Sequence, residues 1–453
     1  MKRRDYAAIG AMALILTWSG VALAQGKIAP SSEVTGGPFN PVTYGDVLAH
    51  PDDLDINYRW ARTQIARGDL KGASATLERM LLVNPDQPGM RFLYGVVLYR
   101  LGSYPEAAEQ LHQLDKVAME PGARAEIDGY LAQVEAQMRG TRYNTLLAFG
   151  IQWDSNRNFS PGNAVGAATP PSLFTGPEVS DFALIGVAGF GMRQDLGYQG
   201  QAELTADAAV YSDSQFRVRS LDLLAGQGRL GAVLRTDWAT LTPNFIVSGI
   251  GLGSAYQPYY GALGGDLRVD KTLDQFDRKL SVYGDILALS ETFNKVSLDP
   301  TADQSSGAHY QLELGGTYRI ADNLSATLAW QGTVKEAKIP GRAYNGNNVV
   351  LAANWAFAPG QFLQGVIQYG DFPYRGIDPT VDPLHKRRDD IFDARLTYGI
   401  GVETLFATRG PSDMFRDLVF TVGVEDIHDS STVATYRSND VRVLTMLTKK
   451  FEF

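Results

Sequence analysis

The 453-residue chain contains no cysteine. Disulfides, thiolate metal sites and a lipid-modified N-terminal Cys are thereby excluded, so any attachment to a membrane has to come from the fold itself. Long apolar runs are missing as well. Beyond the N-terminus nothing approaches the roughly 18 consecutive apolar residues of a spanning helix, and mean hydropathy is −0.15, which excludes a helical membrane protein. A basic excess is absent too: the formal charge is −9, and without a basic face to neutralise phosphates no nucleic-acid partner is expected. Histidine is scarce. His50, His112, His309, His385 and His428 have no pairing at helical or strand spacing that would ligate a metal, and each is expected on the surface or in a loop. No G-x-S-x-G elbow occurs. Gly249-Ile250-Gly251-Leu252-Gly253 does not open a helix as a nucleotide loop would. The sequence offers no catalytic residue, no cofactor site and no metal site, and does not read as an enzyme.

What is present begins with a secretory signal. Lys2, Arg3 and Arg4 precede an apolar core at residues 7–16, and Ala22-Leu23-Ala24 supplies a small-x-small cleavage site before Gln25. Residues 1–24 are therefore expected to take the chain out of the cytoplasm, and 25–52 to form a linker. From Asp53 to about Met138 the apolar period is helical. Sliding the sequence on itself by 34 residues brings Ala61, Gly68, Ala73 and Leu77 onto Gly95, Gly102, Ala107 and Leu111. Small residues at the paired positions let helices approach closely, and Gly68 and Gly102 mark turns. The spacing resembles a tetratricopeptide repeat, with Tyr104, Ala107 and Leu111 the best-matching stretch and Pro85 at the usual end of a second helix. A helical domain over 53–140 is expected, with two repeats and a closing helix over 122–139; an ordinary small helical bundle is the alternative. Two repeats are fewer than the three or so that usually stand alone, so docking on a neighbour is expected.

At Thr141 the period changes to two, and it stays so to the C-terminus. Tyr310, Leu312, Leu314, Tyr318 and Ile320 alternate with Gln311, Glu313, Thr317 and Arg319; Ala202, Leu204, Ala206, Ala208 and Val210 with Glu203, Thr205 and Asp207. Phe392, Ala394, Leu396, Tyr398, Ile400 and Val402 oppose Asp393, Arg395, Thr397 and Glu403. A soluble antiparallel sheet also alternates. Three features favour a transmembrane barrel of about fourteen antiparallel strands over 141–453. The strands run to ten residues or more, as a tilted crossing requires. Short connections (194–199, 321–323, 359–361) alternate with long ones (155–179, 294–306, 372–389). The chain stops on Phe453, with Phe451, Leu447, Val443 and Val441 on one face, which resembles the C-terminal signal read by barrel assembly machinery. The stretch 217–244 is ambiguous, because Gly226, Gly228 and Gly231 could hide a tight turn.

The polar face of these strands carries Glu203, Asp207, Asp266, Arg268, Asp270, Glu313, Arg319, Lys335, Arg395 and Glu403. Mixed signs suit either a selectivity lining or paired charges that hold the barrel in shape. Asp154-Ser155-Asn156-Arg157-Asn158 has the spacing of a calcium loop, but Phe159 stands where Gly is required and Val165 where Glu should close it. Side-chain turns ending the first strand account for it. Lys386, Arg387, Arg388, Asp389 and Asp390 form a charge cluster in a long loop, solvated or facing lipopolysaccharide or a passenger.

Signal, short repeat domain, about fourteen strands and a terminal Phe together resemble the surface lipoprotein assembly modulator family, the type XI secretion outer-membrane translocators. The resemblance covers 53–453. Its most specific piece is the end of the first strand, where Asp154, Ser155, Asn156 and Asn158 look like the family's Asp/Asn cluster. It implies export of a lipoprotein or soluble protein without nucleotide hydrolysis by the barrel: a periplasmic helical domain receives the passenger and the barrel provides or gates its exit. The implied partners are that exported passenger, the barrel assembly machinery, and outer-membrane lipids and lipopolysaccharide. A tetratricopeptide-barrel exporter of exopolysaccharide is the rival. It would favour longer repeat arrays, about sixteen strands and aromatic platforms in the lumen, whereas the aromatics here are expected mostly on the lipid face. A diffusion porin is the third reading.

Overall fold

The change of period at Thr141 separates two units, which divide between Arg142 and Tyr143. The structure, a computed structural model, describes residues 40–453 except 116, 139, 162–175, 198–200, 380 and 406–416. The predicted signal at 1–24 and the first part of the predicted linker lie outside the described residues.

The helical unit comprises α1 Tyr44–Ala49, α2 Leu54–Ala66, α3 Leu70–Val83, α4 Pro88–Leu101, α5 Tyr104–His112 and α6 Pro121–Met138. Helix α1 falls in the stretch expected to be a linker. It is only 6 residues long, too short to show a period, and is set by a capping box in which Thr43 and Asp46 serve each other's backbone N–H groups. Asp53 and Asp69 cap α2 and α3. The residues that coincide at the 34-residue offset occupy equivalent places. Gly68 and Gly102 end α2 and α4 with φ of 80° and 83°, a left-handed conformation that a side chain would strain. Ala61, Ala73, Leu77, Ala107 and Leu111 are fully buried. A Cβ on Gly95 would lie 2.9 Å from a Leu111 methyl, so the close approach of α4 and α5 needs the missing side chain. Helix α6 closes the second cluster, with the Tyr130 ring edge-on to Phe92 at 5.5 Å. Burial pushes the Tyr130 phenol up to about 12.

The second unit is a closed antiparallel barrel of strands β1 Thr141–Asp154, β2 Asp181–Asp195, β3 Ala202–Gln215, β4 Leu223–Arg235, β5 Thr240–Leu252, β6 Gln257–Leu273, β7 Leu280–Phe293, β8 Gly307–Ala321, β9 Leu324–Lys335, β10 Tyr344–Ala358, β11 Gln361–Pro373, β12 Arg388–Gly401, β13 Leu418–Ser431 and β14 Ser438–Glu452. Each strand pairs with the next, and β14 returns to β1 in register from Asn144↔Glu452 to Asp154↔Arg442. The seam is finished by two backbone hydrogen bonds between Tyr143 and Phe453, 3.2 and 2.9 Å. Closure leaves no strand edge unpaired. We call the end holding Tyr143 and Phe453 proximal and the opposite end distal.

The outer face carries the exposed large apolar side chains, among them Phe149, Leu184, Phe245, Leu263, Ile286, Leu314, Leu328, Leu351, Ile367, Leu396 and Val424. A soluble barrel would not leave such a continuous belt in water; hydrocarbon solvates it. The uncertain stretch resolves without a hidden turn: Gly226, Gly228 and Gly231 lie inside β4, and the turn is at 236–239. Strand β4 is hard to read because it is apolar on both faces, with Leu223, Ala225 and Val233 buried inside and Leu224, Leu230 and Leu234 exposed outside. Glu403 does not continue β12. That strand ends at Gly401 and Val402–Leu405 forms the short helix α7, where Glu403 is exposed.

Candidate functional site

The interior differs sharply along its axis. At the distal end the inward side chains are buried on strand after strand: Asp154, Asp181, Asp213, Gln215, Leu223, Leu252, Tyr260, Glu291, Phe293, His309, Lys335, Tyr344, Asp389, Ser431, Ser438 and Asp440. Much of this filling is apolar. Ala148, Ile185, Tyr211, Ala225, Ile246, Ile250, Ala262, Leu289 and Met446 form one cluster inside the barrel, joined by Val296 and Ala302 from the connection after β7. An apolar core inside a membrane barrel runs against the expectation of a polar lumen. It turns the distal half into packed protein interior.

Polar groups in this packing are held in networks. Asn156 is central to one. Its N–H donates to Asp154 Oδ1 at 3.1 Å and Asp440 Oδ1 at 3.0 Å, its amide donates to the carbonyls of Ser160 and Asn439 at 2.8 and 2.9 Å, and its Oδ1 accepts the Ser160 N–H at 2.8 Å. Ser155 Oγ donates to Asp440 at 3.0 Å and accepts the Val441 N–H at 2.7 Å. Asn158 spans the returning chain, donating to Pro177 O and accepting from Val179 N, both at 2.9 Å. The Asp/Asn motif at the end of β1 thus staples the first strand to the last and ties Asn158 to the returning chain at 177–179. Phe159, at φ 49°, ends this turn with its ring 5.6 Å from the Arg442 guanidinium.

A charge chain starts from the same point. Arg157 reaches Asp213 at 2.8 Å and Asp154 at 3.6 Å. Arg442 reaches Asp440 at 2.7 Å, Asp154 at 3.4 Å and Glu425 at 3.5 Å, and Glu425 also pairs with Arg395. Burial opposes the Arg157 charge, but Asp213 and Asp154 outweigh it and hold its pKa above the ordinary value. Across the barrel, Glu291 forms an ion pair with Lys335 at 2.8 Å and accepts hydrogen bonds from His309 at 2.8 Å and Tyr260 at 3.1 Å. His309 is therefore an interior residue rather than a surface one. Among the described residues no group of three His, Asp or Glu is arranged to hold a metal.

The proximal half is open and polar. Arg268 and Asp270 pair at 3.0 Å while partly exposed, and the Arg268 guanidinium lies 3.9 Å from the Tyr283 ring centre. Tyr283 donates to Glu313 at 2.6 Å, as does Gln331 at 2.8 Å. Asp266 accepts from Asn244 at 2.6 Å and faces Arg229 at 3.5 Å. Glu203 is buried and meets Arg235 at 3.2 Å, while Asp207 and Arg319 are exposed to the lumen space. At the distal end, Arg387 of the loop cluster is held by Asp389 at 2.7 Å between the rings of Tyr436 and Tyr374, and Arg388 pairs with Asp371 at 2.8 Å. Phe451 and Phe453 stack with centroids 6.4 Å apart on the outward face.

Sequence reasoning missed Asp213, Glu291, Glu425, Asp440 and Arg442. The signal was available for two of them, since Asp440 and Arg442 fall opposite Val441, Val443 and Leu447. Which acid meets which base depends on strands distant in sequence.

This is a transmembrane β-barrel of the outer-membrane type. No family model matches the chain, and comparison with curated proteins finds no relative. Solved structures similar in fold include a loop-deletion form of OmpT, an outer membrane protein of Vibrio cholerae (9% identity, 68% of this chain and 98% of that one, TM-score 0.39). An anion-selective porin from Comamonas acidovorans (9% identity, 69% and 99%, TM-score 0.37) is another, as is OprD from Pseudomonas aeruginosa (10% identity, 69% and 95%, TM-score 0.35). At this level the likeness concerns fold alone.

Proposed function

We propose that the protein is an outer-membrane translocator that exports a protein passenger, lipoprotein or soluble, to the cell surface. In this reading the helical unit is tetratricopeptide-like, stands in the periplasm and engages the passenger, and the distal end faces outside. The observation that carries it is the filled distal lumen: a standing diffusion pore needs a continuous water path, and here apolar packing and paired charges interrupt it. A barrel closed at rest suits a passage opened on demand. Equivalent turns and small-residue contacts at the 34-residue offset support the repeat, whose surfaces bind polypeptide.

The geometry gives less support to a sugar conduit. Most barrel aromatics lie on the outer face, as expected, among them Phe149, Phe190, Phe245, Tyr310, Trp330 and Tyr369, and a smaller set faces inward. Tyr211, Tyr260, Phe293 and Tyr344, however, are buried in packing and present no free stacking platform. The test is deletion of the gene followed by comparison of surface and medium proteomes. Loss of one or a few secreted proteins, restored by complementation, is expected. An unchanged set of exported proteins would sink the reading.

A further inference from the structure

One piece of the distal filling is not part of the wall. The connection 294–306 between β7 and β8 turns into the barrel and seats Val296 and Ala302 in the internal apolar cluster, with Leu298 packed beside them. Its tip is a small folded body in which Val296 and Asp299 exchange backbone hydrogen bonds of 3.1 and 2.9 Å. At its ends the Asn294 N–H donates to Tyr259 O at 2.8 Å and Ser306 Oγ accepts the Phe293 N–H at 2.9 Å, and Ser297 Oγ donates to Gln257 on β6 at 3.3 Å; its other ties run to neighbouring connections. The Lys338 N–H donates to Gln304 O at 3.0 Å. Arg342, itself buried, donates to the Thr301 carbonyl, to Thr301 Oγ1 at 2.8 Å and to Asp378 Oδ2 at 3.3 Å. One guanidinium thereby joins the connections after β7, β9 and β11. No hydrogen bond of the barrel ladder passes through 295–305, so the segment can leave the lumen while every strand pair stays intact.

We propose that 294–306 is a displaceable plug that gates the lumen, with Arg342 as its latch. When it leaves, the apolar strip of Ile246, Ile250 and Leu289 is uncovered and the distal lumen widens. Without Arg342 the plug keeps its apolar seat but loses charge-assisted hydrogen bonds, which shifts the closed–open balance toward open.

The chain has no cysteine, so engineered thiols report without background. Full-length protein in planar bilayers, with no passenger added, is the system. Arg342→Ala should raise open probability by about tenfold, the consequence of losing such bonds, and Ala302→Asp, which drives a carboxylate into the apolar seat, should do the same. Gln304→Cys with Lys338→Cys, oxidised, should silence both, and reductant should restore the openings. A single Ala302→Cys should react with a maleimide faster by about the same factor in the Arg342→Ala background, and this readout survives if either larger change impairs insertion. Unaltered conductance and labelling in Arg342→Ala, or openings that persist with the disulfide closed, would overturn the plug. Because no passenger is involved, a confirmed plug with an unchanged exported proteome would overturn the translocator reading alone.

Discussion

The two halves of the barrel interior are made from the same strands and are built on different physics. In the distal half, inward positions are buried and either apolar or drawn into ion pairs and hydrogen bonds, as in a soluble core. In the proximal half most are polar and partly exposed, as in a water-filled lumen, with Glu203, Thr205 and Val233 as buried exceptions. Strand β7 shows the change within one element: Tyr283 and Asp285 are half-exposed, while Leu289, Glu291 and Phe293 are buried. Stability and passage are thereby separated along the axis. Cost of substitution should follow depth and not charge or strand identity.

The largest effect is expected where a buried charge loses its partner. Asp213→Ala leaves Arg157 buried with Asp154 alone, and should cost ~3–5 kcal/mol, read by guanidinium unfolding in detergent micelles. A loss below ~1 kcal/mol, the range of exposed pairs, would mean that water reaches the distal half and the contrast fails. Next comes Ile246→Ala, which opens a cavity in the internal cluster and should cost ~2–5 kcal/mol. Ile286→Ala on the lipid face is its control: acyl chains refill the space, and the two substitutions should differ clearly in the same melt. Equal losses would place Ile246 in a site that solvent or lipid can fill.

The barrel was legible in the sequence because its outer face must be apolar everywhere. Tyr310 to Ile320 alternate cleanly, and the pairings fell where the turns required. The distal core was not legible. Inward residues such as Ile185, Leu223, Ala225, Ile246 and Ile250 replace polar residues in the alternation, so β2, β4 and β5 lose the period-two signal at the places where the interior is packed. The motif at the end of β1 was visible as a cluster of turn-forming residues. That Asn156 and Ser155 would reach Asp440 was not, because the partner lies 284 and 285 residues further on. Glu403 was misplaced since Val402 keeps the alternation for one residue after the ladder has ended.

Smaller effects should mark the proximal half. Tyr283→Phe removes the 2.6 Å hydrogen bond to Glu313 but leaves the ring under Arg268, and about 1 kcal/mol is expected from the lost bond. Asp270→Asn should cost less still. Its pairing with Arg268 is partly exposed, each side chain about 40% accessible, and pairs of that kind contribute ~0–1 kcal/mol. What Asp270→Asn should change is the field in the proximal lumen: removing one carboxylate beside Arg268 lowers the preference for cations whenever the distal half is open. Reversal potentials in a salt gradient, taken in the Arg342→Ala background, should move toward the anion side while the melting curve stays in place. A shifted melt with an unchanged reversal potential would assign the proximal charges to structure, and the two halves of the lumen would then differ in degree only.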